Sequence, residues 1–145
     1  MNKQQLLEYL ENRLYVCAQP SPIHGIGVFA VRDIPKGVDP FQSNYEEDTI
    51  EFTRKELNHL PPRIMKMIED YCAEDQGKYH IPTIGFNPIE LGRYINHSKT
   101  PNTATDKDGW HFVTLKEIKA GEELVVDFHT YNDDHTVLLR DRYAE

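Results

Sequence analysis

Two stretches decide how this chain is read: Arg93-Tyr94-Ile95-Asn96-His97-Ser98-Lys99-Thr100-Pro101-Asn102 and, further along, Gly121-Glu122-Glu123-Leu124-Val125-Val126-Asp127-Phe128. The first is dense in side chains that donate and accept hydrogen bonds together. Asn96 and His97 can each hold a polar ligand and a neighbouring backbone group at once. Taken alone the stretch is also good loop chemistry, because Ser98, Pro101 and Asn102 favour a turn. The second stretch alternates Leu124, Val126 and Phe128 with Val125 and Asp127, the period of a strand. Gly121 supplies the turn that leads into it. Glu122 and Glu123 are expected to serve that turn and the sheet edge, and Asp127 to be a solvated acid.

Working outward, Gln4 to Arg13 reads as a short helix whose Leu6, Leu7, Leu10 and Leu14 form one apolar stripe that packs on the domain edge. Tyr15 to Ala18 reads as a strand, Gln19 to Pro22 as a turn, and Gly25-Ile26-Gly27-Val28-Phe29-Ala30 as a glycine corner entering a second strand. A phosphate-cradling loop requires a helix after the glycines. Here the following residues are β-like, which disfavours a dinucleotide fold. Two segments share one recipe: Val31-Arg32-Asp33-Ile34-Pro35-Lys36-Gly37 and Leu115-Lys116-Glu117-Ile118-Lys119-Ala120-Gly121. In each, Ile plugs the core and Gly takes the backbone conformation that reverses the chain. Thr53-Arg54-Lys55-Glu56 is a capping pattern that opens a short helix, stopped by Pro61. Ile64, Met67, Ile68 and Tyr71 recur at helical spacing and are expected to face the core. Asp108-Gly109 predicts a hairpin between 103–106 and 110–115. Trp110 and Phe112 on that hairpin read as core rather than as a stacking platform. A closing helix is expected over 136–142.

At 145 residues with 39% hydrophobic content, the chain is long enough for one domain with a sizeable core. Nine prolines and eight glycines imply many turns and short strands. The apolar runs fall far short of the ~20 residues a spanning helix needs, so a soluble intracellular protein is expected. A net charge of −8 argues against general binding to a nucleic-acid backbone and is compatible with a cationic partner such as a lysine-rich peptide. Cys17 and Cys72 are isolated, so neither a disulfide framework nor a zinc motif is visible. Seven histidines lack a metal spacing, the pair His129 and His135 included, and no metal is expected.

The Arg-aromatic-x-Asn-His-Ser-x-x-Pro-Asn segment, followed by Gly-Glu-Glu-Leu, closely resembles the SET-domain protein-lysine methyltransferases. The resemblance runs from Tyr15 to Tyr131, with about 42–88 as a variable insert, 1–14 as an N-terminal helix and 132–145 as a C-terminal extension. It implies an α+β, mostly β fold of several small, β-clip-like sheets, with a short N-terminal helix, a helical insert and a C-terminal pseudoknot. It implies S-adenosyl-L-methionine as cofactor, held by Gly25, Ile26, Gly27, Arg93, Tyr94, Asn96 and His97. The partner it implies is a protein or peptide carrying the target lysine, with no nucleic acid and no membrane. The glycine pair lets the backbone approach the cofactor closely, and the Asn-His segment is crossed by the C-terminal segment.

One position departs from the family. Its Glu-Leu-x-x-x-Tyr pattern places a catalytic tyrosine where this chain has Phe128. Phenylalanine keeps an apolar channel wall but lacks a hydroxyl. Tyr131 or Tyr94 can supply one, backbone carbonyls can suffice, or the domain binds cofactor or peptide without catalysis. A β-clip protein with no cofactor is a third reading, motivated by the twin corners alone.

Overall fold

A computed structural model describes residues 1–42, 49–72, 74–88, 90–105 and 111–130. In chain order its elements are α1 (Lys3–Asn12), β1 (Val16–Pro20), β2 (Ile26–Ala30), β3 (Thr49–Thr53), α2 (Arg54–Leu57), α3 (Pro62–Tyr71), β4 (Glu74–Asp75), β5 (Lys78–Pro82), a 3₁₀ turn (Leu91–Tyr94), β6 (Asn96–His97), β7 (Thr103–Thr105), β8 (Phe112–Thr114), β9 (Glu123–Val126) and a 3₁₀ turn (Phe128–Thr130). The fold is mostly β, built from small sheets with few helices, as expected. Among the described residues no helix is long and apolar enough to cross a membrane. The chain divides into two compact units, 1–44 with 94–127 and 45–93 with 128–145.

The first unit carries a four-stranded sheet in the order β1-β2-β9-β6 and the β7-β8 pair. β1 and β2 run antiparallel with Val16 opposite Ala30 and Ala18 opposite Val28. β2 meets β9 antiparallel, Val28 opposite Leu124. Side chains alternate across a strand, so Val28, Leu124 and Val126 share one face. All three are fully buried. The expected strand over Leu124, Val126 and Phe128 is therefore correct in phase but ends at Val126, and Phe128 opens the 3₁₀ turn. The first strand likewise runs to Pro20 rather than turning at Gln19.

The twin corner segments turn out to face each other. Ile34 N donates to Ile118 O at 2.7 Å and Ile118 N returns to Ile34 O at 2.9 Å. Gly37 N donates to Thr114 O, and Gly121 N donates to Ala30 O, each acceptor lying four positions before its isoleucine. Gly37 and Gly121 have φ of +84° and +91°, where a side chain is strained. Both isoleucines are fully buried. A recipe that is generic as sequence thus becomes a two-fold-like pair. Thr114, also buried, ties the first corner to β8 by donating to Pro35 O at 2.6 Å and accepting from Val38 N at 3.1 Å. The β7-β8 pair confirms the predicted hairpin arms, Thr103 opposite Thr114, while its Asp108-Gly109 turn and Trp110 lie outside the described residues.

The N-terminal helix forms with a capping box between Asn2 and Gln5. Its leucine stripe does not pack as expected: α1 buries no residue, and Leu6, Leu7 and Leu10 are exposed. The helix is held at its end instead. Arg32 donates Nη2 to Leu10 O at 2.8 Å and Nη1 to Glu11 O, satisfying carbonyls that a helix terminus leaves open.

The second unit carries the sheet β3-β5-β4 with α2 and α3. Thr53 caps α2 through its hydroxyl, which accepts from Glu56 N. Leu57, Ile68, Cys72 and Tyr79 form the core, with Met65, Phe52 and Ile81 packed against it. Here the helical stripe needs correction. Ile68 is buried, but Ile64 and Met67 are exposed. Met65, Ile68 and Cys72 also lie at helical spacing, and the side that packs on Tyr79 is theirs. Arg54 clamps this core from outside, donating Nη2 to the Tyr79 hydroxyl and Nη1 to Glu69 at 3.0 Å. Burial pushes the Tyr79 phenol up from its ordinary value. The helix expected over 136–142 lies outside the described residues, as does any crossing made by the C-terminal segment.

Candidate functional site

The geometry of the site follows from one pairing. β6 and β9 run parallel, with Asn96 opposite Val125 and His97 opposite Val126. Ser98 N extends the ladder to Val126 O at 2.8 Å. The polar Asn-His stretch and the Gly-Glu-Glu-Leu strand therefore lie side by side. Asn102 anchors the return: its Nδ2 donates to Glu123 O and its Oδ1 accepts from Val125 N, both at 2.9 Å. Its role is to bind the backbone of β9, since a buried amide satisfies its polar atoms this way.

Asn96 is 5% exposed, so each hydrogen on its amide needs a partner. Its Nδ2 donates to His24 O at 3.0 Å and to Glu123 Oε2 at 2.9 Å, with Ile26 O at 3.5 Å. Three oxygens around one nitrogen set the orientation of the amide. On the opposite side, Ser21 Oγ donates to both oxygens of the Glu123 carboxylate, at 2.8 and 2.9 Å. The same hydroxyl accepts from Ile23 N at 3.0 Å and His24 N at 3.4 Å. Ser21 N closes the turn on Gly25 O at 2.8 Å. One hydroxyl thus uses its donor and both lone pairs, and the corner is pinned from β6 and β9 together.

Among the predicted residues, Gly25, Ile26, Gly27 and Asn96 come together in this arrangement, and His97 follows Asn96 in β6. Gly25 has φ +47°, and the space where its Cβ would stand is open to 4 Å. Ile26 begins β2 with an exposed side chain. At Gly27 a Cβ would fall 2.4 Å from Glu123 Oε2. His97 Nδ1 lies 3.7 Å from Asp127 Oδ1, both side chains being mostly covered, an ion pair only when the imidazole is protonated. Tyr94 is half-buried at the end of its 3₁₀ turn. Arg93 and Phe128 belong to the second unit. Arg93 Nη1 donates to Tyr71 O at the end of α3, and Phe128 is buried at 6% exposure. Tyr131 lies outside the described residues.

Sequence reasoning missed Ser21 and Glu123; Asp127, expected to be a solvated acid, is partly covered beside His97. Glu123 is half-buried and central rather than a sheet-edge residue. The alternation of β9 held the signal: Glu123 and Val125 share a face, and Val125 sits opposite Asn96.

The family model described as "SET domain" matches residues 25–129. No curated protein matches the chain. A candidate histone methyltransferase of Plasmodium falciparum is similar in structure, with 18% identity and a TM-score of 0.48 over 78% of this chain and 91% of that one. A humanized mutant of the Chaetomium thermophilum Polycomb Repressive Complex 2, bound to an inhibitor, is similar with 26% identity and a TM-score of 0.52 over 86% of this chain. This chain spans only 16% of that complex's matched chain.

Proposed function

The chain belongs to the SET-domain family, and from that premise we propose that it transfers a methyl group from S-adenosyl-L-methionine to a lysine side chain of a protein, histone or non-histone. The observation that supports this is the Asn96 bridge, which joins the glycine corner to the β6-β9 pair. Gly25, Ile26, Gly27, Arg93, Tyr94, Asn96 and His97 hold the cofactor in this reading. The corner fits such a ligand at Gly25, where the backbone is approachable. The Asn96 amide nitrogen is committed to protein oxygens, so in this reading Asn96 serves the ligand through its amide oxygen or its backbone. β6 is the edge strand of its sheet, so some of its backbone groups point away from β9.

When bound, S-adenosyl-L-methionine supplies an electrophilic methyl on a cationic sulfur. The attacking lysine must be neutral, yet its free pKa is about 10.4. Apolar walls lower that value by disfavouring the charged form, and buried Phe128 supplies one such wall. In this reading Tyr131 or Tyr94 supplies the hydroxyl that orients the amine. Holding nitrogen, methyl and sulfur in line accounts for much of the acceleration. The net charge of −8 suits a cationic peptide substrate.

Phe128 also supports a second reading, a module that binds cofactor or peptide without catalysis. Two measurements separate the readings. Calorimetric titration with S-adenosylhomocysteine is expected to give saturable binding, and labelled methyl is expected to reach lysine in a peptide panel or lysate. Binding without transfer leaves the module reading in force. No binding of S-adenosylhomocysteine removes the methyltransferase reading and the cofactor-binding form of the module.

A further inference from the structure

The two glycines of the corner stand in different surroundings. Beyond Gly25 there is open space. At Gly27 the Cβ position is taken: Glu123 Oε2 lies 2.4 Å from it, and Glu123 Cδ and Ser21 Cβ each lie 3.0 Å away. A carboxylate at the end of a free side chain would swing aside at little cost. This one is held by Ser21 Oγ on both oxygens and by Asn96 Nδ2 on one. Moving it breaks charge-assisted bonds and leaves the mostly buried Asn96 amide short of an acceptor.

We propose that Glu123 is the positioning residue of the site: its carboxylate fills the volume that any side chain at position 27 would occupy and locks the Ser21–Gly25 turn to Asn96. The absent side chain of Gly27 serves the protein's own glutamate, and the approach of a ligand's atoms falls to Gly25. The proposal rests on the cofactor reading above for what the corner presents, but the Gly27–Glu123 packing stands independently of it. Ser21 carries the contact at a separation of 102 positions.

The test is a double-mutant cycle of Gly27→Ala and Glu123→Ala in the full chain, read by thermal unfolding and by S-adenosylhomocysteine titration well below Tm. Each single change is expected to lower Tm by about 5–10 °C, since each removes the same bonds. The double variant is expected to lie within about 2 °C of Glu123→Ala, because the clash is gone once the carboxylate is removed. Additive losses would overturn the packing claim. Glu123→Ala is expected to weaken S-adenosylhomocysteine about tenfold, while Glu123→Gln, similar in shape and still an acceptor, stays within about threefold of wild type. Unchanged affinity in folded Glu123→Ala overturns the positioning role, because a purely structural residue changes Tm alone. If Glu123→Ala does not fold, Glu123→Asp, whose carboxylate ends one methylene short of the Gly27 position, takes its place in the cycle. Failure of wild type to bind removes the cofactor reading and the positioning role with it, while the Tm cycle still decides the packing.

Discussion

Replacing Asn96 by alanine removes one nitrogen that ties three segments together. The loss can be worked from its two short bonds. The bond to Glu123 at 2.9 Å is charge-assisted, about 1.5–3 kcal/mol, and the bond to His24 O at 3.0 Å is a neutral one of about 1 kcal/mol. Together they predict a loss of about 3 kcal/mol, roughly a hundredfold in the folded-to-unfolded ratio. For a urea slope of about 2 kcal/mol/M, the midpoint falls by about 1.5 M, followed by circular dichroism. Asn96→Asp sharpens the test, since it puts a second carboxylate about 3 Å from Glu123, where like charges repel. At pH 7 it is expected to be less stable than Asn96→Ala. If Asn96→Asp equals or exceeds the alanine variant in stability, the amide does not bridge to Glu123, and the account of the corner fails.

Three further outcomes are expected. Ile34→Ala and Ile118→Ala each lose about 2–5 kcal/mol, because both side chains are fully buried in the paired corners; denaturant midpoints that differ widely between them would refute the two-fold-like packing. Tyr79→Phe is less stable than wild type at pH 8, where the Arg54 bond to the phenol hydroxyl is intact. Burial raises the folded phenol above its ordinary value of about 10. The wild type therefore keeps full stability below pH 10 and loses it as pH rises further, so the gap to Tyr79→Phe closes on the alkaline side. A gap constant from pH 8 to 11 in urea unfolding contradicts this. Phe128→Tyr restores a hydroxyl at a buried position and is expected to raise methyl transfer by up to about 100-fold; an unchanged or lower rate in the lysine-peptide assay points to an active site built around another group.

Local rules carried much of the fold. The period of two in β9, the glycines that end the twin corners and the Asn2 and Thr53 caps each depend on neighbours within a few positions. Those neighbours are legible in one dimension. The amino-acid order also marked Asn96 and His97 as unusual, because two such polar residues beside a strand must find partners. Which partners they find is not a local property. Asn96 meets His24 across 72 positions and Glu123 across 27, distances set only when β6 and β9 adopt parallel register. The same holds for the helices: α3 offers two apolar faces of similar spacing, and packing on Tyr79 selects one. Leu6, Leu7 and Leu10 form a convincing stripe, yet all three stay exposed. The sequence by itself determined β1, β2, β9, the hairpin arms and the helices α1 to α3, because backbone preference and side-chain alternation act over short range. The tertiary structure alone decided that Glu123 belongs to the glycine corner, because a carboxylate's partners depend on which distant donors the chain brings within 3 Å.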